Sequence, residues 1–194
     1  MKKIALFFIC VIIALFCSAQ NLTEHMTFKG IPIDGTITDF TAKMKQKGFN
    51  HLGTQEGMAL FKGEFAAIKD CTIGVVSSKT TNVVSKVGVL FPECDTWSRL
   101  YGNYSQLKSM LTQKYGEPTV NVERFNSYSE PRDDNSRMHE VRMDRCNFIT
   151  TWETEKGDIE LKINHSEYSS CFVTLSYWDK INTEKVTNSA IDDL

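Results

Sequence analysis

The sequence has little of what most enzymes and nucleic-acid binders carry. It contains no G-x-S-x-G elbow for a hydrolase nucleophile, no P-loop, no dinucleotide fingerprint and no H-E-x-x-H zinc pair. The four histidines, His25, His51, His139 and His165, stand singly, so no helix face can offer two of them to a metal at i, i+3 or i, i+4. No two cysteines have C-x-x-C spacing, which removes zinc knuckles and thioredoxin-like sites. An excess of one charge is also missing. The 22 Lys and Arg face 24 Asp and Glu for a net charge of −2, which argues against a nucleic-acid surface or a polybasic membrane patch. From these absences no catalytic residue, no metal ligand and no cofactor is expected. His139-Glu140 could support acid–base work only if a third group met it in space, and it lies in a loop ill suited to hold catalytic geometry, while Asp133-Asp134 is surrounded by competing arginines.

Long apolar runs are confined to one place. Met1-Lys2-Lys3 is followed by Ile4 to Phe16, about a dozen apolar residues, too short for the ~30 Å hydrocarbon core of a bilayer. With small Cys17 and Ala19 at −3 and −1 of a cleavage point before Gln20, or one residue later before Asn21, residues 1–19 read as a signal peptide. No integral membrane span is expected after its removal. Cys17 raises the alternative of a lipidated N-terminus, against which bulky Phe16 speaks. Without Lys2 and Lys3, 20 basic residues face 24 acidic ones. A chain 41% hydrophobic, 24% charged and 11% aromatic is a folded globular protein rather than a disordered or collagen-like one.

Four cysteines then remain: Cys71, Cys94, Cys146 and Cys171. An even number in an exported chain predicts disulfides, and the sequence-local pairs Cys71 with Cys94 and Cys146 with Cys171 are favoured among the three connectivities.

What is present is a pattern that occurs twice. Ile37, Phe40 and Met44 mark an amphipathic helix closed by Gly48. Strand-like segments follow at 58–61, 71–76 and 83–91. Asp95 or Thr96 can cap a second helix with Trp97, Leu100, Tyr101, Tyr104, Leu107, Leu111 and Tyr115 on one face, ended by Gly116 and Pro118. Strands are expected at 119–125, 146–154, 158–164 and 171–178, with a tight hairpin at 155–158. At an offset of 67 residues Ile37, Phe40, Met44, Gln46 and Lys47 match Tyr104, Leu107, Leu111, Gln113 and Lys114. The expected fold class is therefore α+β: tandem duplicated units of a helix and antiparallel strands, forming one sheet with helices on one face. The first unit spans 20–93 and the second 94–181, with a mixed-charge loop insertion at 126–145 and a flexible tail at 182–194.

Period-two alternation turns Val173, Leu175 and Tyr177 one way and Phe172, Thr174, Ser176 and Trp178 the other. One set packs under the helices. The other lies on an open sheet face, where Phe172, Trp178 and Trp152 are candidate binding aromatics. Arg132 and Arg137 are the candidate binding cations of the loop.

The stretch His25-Met26-Thr27-Phe28-Lys29-Gly30-Ile31-Pro32-Ile33-Asp34-Gly35-Thr36-Ile37, with Phe40, Met44 and Lys47-Gly48-Phe49, resembles the opening of small uncharacterised exported proteins of the Bacteroidetes type. Ser18-Ala19-Gln20 is similar to the end of their signals. The resemblance covers about the first 30 mature residues and implies a periplasmic or secreted location. The doubled layout also resembles the beta-lactamase inhibitor protein fold, in which tandem units form a saddle-shaped sheet that grips a protein. That likeness is one of topology and carries no binding residue across. Together these readings lead to an exported non-enzymatic module that binds a protein. The alternatives are a hydrolase whose site is assembled from scattered polar residues, and a binder of a small apolar ligand between helices and sheet.

Overall fold

A computed structural model describes residues 24–167 and 170–191. The signal peptide, its cleavage point and Cys17 lie outside them. The chain starts with a hairpin of β1 (Thr27–Phe28) and β2 (Ile31–Pro32), turned by Lys29 and Gly30 at positive φ, as two-residue hairpins require. Helix α1 (Ile37–Gln46) follows, its N-cap Thr36 accepting from the Asp39 N–H at 3.2 Å, with Phe40 and Met44 buried. Four strands come next: β3 (Asn50–Gln55), β4 (Met58–Phe65), β5 (Ile68–Ser77) and β6 (Val84–Leu90). The order then recurs. Helix α2 (Trp97–Tyr115), capped by Thr96 and closed by Gly116, is followed by β7 (Val120–Phe125), helix α3 (Asp134–Arg142), β8 (Cys146–Thr154), β9 (Gly157–His165) and β10 (Cys171–Asp179). A last helix, α4 (Lys180–Ile191), continues straight from β10. No described helix is long and apolar enough to cross a membrane.

Eight strands form one antiparallel sheet in the order β3-β4-β5-β6-β10-β9-β8-β7. The last strand of each half therefore meets the other at the centre, with Val87 opposite Tyr177 and Val89 opposite Leu175. This is the expected α+β architecture with one large sheet. One face is mainly apolar: Ala59, Phe61, Ile73, Val75, Val87, Val89, Leu175, Tyr177, Leu161, Ile159 and Phe148 are buried on it, with Thr150 among them, in the same core as Phe40 and Met44 of α1 and Leu107 and Leu111 of α2. Aromatic contacts dominate the second half. Trp97 lies 5.1 Å from Phe148 and 5.0 Å from Phe125, and Tyr104 packs edge-on to Phe148. The buried Tyr104 hydroxyl donates to Thr150 Oγ1 at 2.6 Å, which donates in turn to Asn121 Oδ1 at 2.9 Å.

Three expectations need correction. Of the stretch 182–194, expected to fray, 192–194 lie outside the described residues and the rest carries α4 to Ile191, held by polar contacts rather than by an apolar stripe. Asp179, fully buried, caps it through the Asn182 N–H at 2.9 Å and also accepts from the Met26 N–H and His25 Nδ1. The Asn182 amide donates to the carbonyls of Ile33 and Val84 and to Asp34.

The second correction concerns disulfides, which the described residues do not contain. Sequence neighbours are not sheet neighbours here. Thr72 opposite Leu90 puts Cys71 level with Phe91, three residues short of Cys94. Strand β9 separates Cys146 on β8 from Cys171 on β10, and two strand spacings of roughly 5 Å each exceed the reach of a disulfide.

Third, the loop expected at 126–145 contains α3. Asp133 and Ser136 cap it reciprocally, Asp134 accepts from the N–H groups of Trp97 and Ser98 at the start of α2, and Glu140 takes two hydrogen bonds from Arg145 at 2.7 and 2.9 Å. These partners hold all three carboxyls below their ordinary range: chiefly the Ser136 N–H at Asp133, the Ser98 hydroxyl at Asp134 and the Arg145 guanidinium at Glu140. A depressed folded-state pKa contributes stability above the unfolded value, and the contribution disappears as pH falls through the folded one. Residues 133–145 should therefore lose amide-exchange protection below about pH 4, the ordinary carboxylate range, while β9 and β10 keep theirs. Equal protection of α3 at pH 7 and pH 3, after correction for intrinsic rates, would refute this.

Candidate binding face

The face of the sheet away from the helices is uncovered over its centre, and the strand register fixes what it presents. Leu60, Gly74, Gly88, Ser176, Glu160, Thr151 and Val120 lie side by side across seven strands. On one side of this line run Met58, Val76, Lys86, Trp178, Asp158 and Glu153, and on the other Lys62, Thr72, Leu90, Thr174, Lys162, Ile149 and Val122. Two adjacent glycines and a serine at the centre leave a shallow trough. A Cβ added at Gly74 would meet only Leu60 Cδ2 at 3.8 Å, and one at Gly88 only Ser176 Oγ at 3.9 Å. Neither glycine has a positive φ, so no backbone turn demands them. A glycine inside a strand costs entropy and packing, and commonly marks a place where another chain or ligand comes close.

Apolar groups surround the trough. Met58, Leu60, Leu90 and Val120 are between 39% and 44% exposed and all stand on this face. Trp178 is half-buried, with the Lys86 ammonium 4.4 Å from its ring centroid, a cation–π attraction that ties the two side chains together across the β6–β10 pair. Charges of both signs are interspersed on this face: Lys62 lies 3.4 Å from Asp70 in the first half, and in the second Lys162 follows Glu160 along β9, while Glu153, Asp158 and Glu160 line a groove with Lys180, Thr183 and Glu184 of α4.

Of the five residues expected to bind, the structure brings two to this face. Trp178 and Phe172 alternate with the buried Val173, Leu175 and Tyr177, as expected. Trp152 is instead 1% exposed on the helix side, where its indole N–H donates to the Gly116 carbonyl at 3.0 Å. Arg132 and Arg137 flank the start of α3, which packs beside α2 against β8, β9 and β10; Arg137 Nε donates to the Pro131 carbonyl at 3.2 Å. The loop and the open face are thus on opposite sides of the sheet and cannot form one surface. Sequence reasoning missed the trough, although Gly74 and Gly88 inside strand-like runs were its signal.

Ionisable groups that meet elsewhere serve as ties within the fold. His25 lies between Asp179 Oδ2 at 3.0 Å and Asp34 Oδ2 at 3.5 Å, where the N-terminal segment joins α4. Burial opposes ionisation of Asp34, yet the Asn182 amide, the Gly35 N–H and His25 together hold its carboxyl below the ordinary range. His51 packs on Phe61 and pairs with Thr54. Asp133 and Asp134, the adjacent acids of the sequence, are spent on helix capping. Among the described residues no three His, Cys, Asp or Glu side chains are placed to hold a metal ion. No family model, curated protein or solved structure matches this chain.

Proposed function

We propose that this chain is an exported, non-enzymatic module of the bacterial envelope, periplasmic or secreted, that binds a protein partner on the open face of its sheet. The observation that carries the reading is the trough of Leu60, Gly74, Gly88 and Ser176, bordered by exposed Met58 and Leu90 and by Trp178. Apolar groups and a half-buried indole around a strip of glycine backbone suit the core of a protein interface, and the interspersed lysines and carboxylates suit its polar rim. The mixture of charges on the face favours a partner surface that itself carries both signs over a uniformly charged polymer. Arg132 and Arg137 have no part in this surface.

Filling the trough tests the reading without damaging the fold. Gly88→Val adds a β-branched side chain above open sheet, where strand propensity favours it, so the variant should unfold at or above the temperature of the parent. A photo-crosslinking residue placed at position 60 should give a discrete adduct in cells that export the chain, and Gly88→Val should abolish it. The same crosslinker at position 43 on α1 should give none. An adduct that survives Gly88→Val, or one obtained equally from position 43, would reject the open face as the binding surface.

A further inference from the structure

The four cysteines are not evenly placed once the chain is folded. Cys94, in the connection between β6 and α2, forms an isolated antiparallel bridge with Cys171, the first residue of β10, and its N–H donates to the Cys171 carbonyl at 2.8 Å. Directly opposed residues of an antiparallel pair project to the same side of the sheet, with Cα atoms about 4.5–5.5 Å apart. That separation falls inside the range of about 4.4–6.8 Å that a disulfide spans. Both side chains are buried under the helices, where the Asn103 amide of α2 donates to Cys94 Sγ at 3.5 Å and Arg142 of α3 bonds Cys171. The other two thiols lack an opposed cysteine. Cys71 faces Gly63 and donates to the Ile68 carbonyl at 3.2 Å, and Cys146 faces Phe125.

We propose that Cys94 and Cys171 are an oxidation site, closed to a single disulfide by a small-molecule or protein disulfide, with Cys71 and Cys146 remaining thiols. In the step, one cysteine thiolate attacks a sulfur of the oxidant and displaces one of its halves as a thiolate, giving a mixed disulfide. The second cysteine thiolate then attacks the sulfur of the first and releases the other half. The protein loses two electrons and two protons, and the oxidant is reduced to two thiols. Oxidation in the cell follows from the export reading; the capacity to close follows from the bridge alone.

Burial raises both thiols above their ordinary range, only partly offset by Arg99 near Cys94 and by Arg142 near Cys171. Few thiolates are present in the folded chain near pH 7, so closure belongs to the folding step, before α2 and α3 cover the pair. Once made, the bond joins the start of the second half to the central strand β10 and closes a loop of nearly eighty residues. By the chain-entropy account this raises Tm by roughly 10 °C.

The test has two arms. The full chain, with its own leader, is produced in a secreting bacterium, alkylated at harvest and mapped by non-reducing peptide mass spectrometry. A second portion is reduced in denaturant, refolded with oxidised and reduced glutathione, and mapped in the same way. A peptide pair joining Cys94 to Cys171, with Cys71 and Cys146 alkylated, is the expected result of the refolding arm, and Cys94→Ser should remove both the pair and the dithiothreitol-sensitive part of Tm. Four alkylated cysteines in the refolded oxidised chain, or a bond in which Cys71 or Cys146 takes part, would overturn the proposal. If the refolded chain carries the bond and the harvested chain is fully alkylated, the site stands and the export reading fails.

Discussion

Replacing Gly157 with alanine should unfold the protein at a denaturant concentration far below the parent's, with a loss of about 3 kcal/mol or more. Gly157 starts β9 at φ 145°, a conformation that a side chain resists, and a Cβ built there would sit 1.9 Å from the Trp178 carbonyl oxygen and 3.0 Å from the Lys180 nitrogen. The obstructing atoms are backbone, so no rotamer change removes the clash. Nor can the backbone retreat: Trp178 pairs with Lys86 on one side and Asp158 on the other, and Asp179 beyond it is anchored by Met26, His25 and Asn182. Gly116→Ala supplies the control. Its φ is 88° with ψ −170°, equally unsuited to a side chain, but nothing lies within 4 Å of the added Cβ, so it should cost less, about 1–2 kcal/mol of backbone strain alone. Urea midpoints for the two variants separate the steric part from the conformational part. Equal losses would mean that the junction of β9, β10 and α4 is looser than its contacts imply.

That junction also shows where sequence reading stops. The hairpin at 155–158 and the alternation of β10 were legible because turn chemistry and period-two burial are local properties. Helix α4 was not, because what holds it is Asn182 reaching carbonyls at positions 33 and 84, and no hydropathy pattern encodes contacts so remote in sequence. For α3 the reading failed differently: the Asp133 and Ser136 capping pair is a local signal, hidden by the mixed charge around it. Trp152 was ambiguous on physical grounds. In β8 the set Phe148, Thr150, Trp152 and the set Ile149, Thr151, Glu153 both mix apolar with polar residues, and contacts with α2 and its C-cap decide which is inside: Trp97 and Tyr104 pack on Phe148, Tyr104 bonds Thr150 and the Gly116 carbonyl takes the Trp152 N–H. The cysteine pairs depended on strand order, which nothing local determines. The binding face combined both cases, with Trp178 and Phe172 legible from alternation, and the trough dependent on the register that aligns Gly74 with Gly88.

Phe40→Ala and Leu107→Ala should each cost on the order of 2–5 kcal/mol, since each leaves a cavity in a packed core. Phe40 is 0% exposed on α1 and Leu107 2% exposed on α2, at matching places one turn before Met44 and Leu111. Lys43→Ala, at an exposed position on α1, should cost about 0.5 kcal/mol or less. Lys108→Ala should exceed that modestly, because the half-buried ammonium is paired with Glu123. How these losses are distributed tests the architecture on which the binding face depends. The two halves share the β6–β10 ladder, five residue pairs long from Lys86 opposite Trp178 to Leu90 opposite Thr174, and a single core runs beneath both. Unfolding one half would strip β6 or β10 of its partner and expose the apolar face of the other. Both variants should therefore lower one common transition, seen alike by tryptophan fluorescence, which reports Trp97, Trp152 and Trp178 of the second half, and by far-ultraviolet dichroism, which reports the whole sheet. Two transitions, each moved by only one variant, would mean that the halves fold independently. The trough, whose central pair Gly88 and Ser176 straddles their junction, would then not be a rigid surface on which a partner could dock.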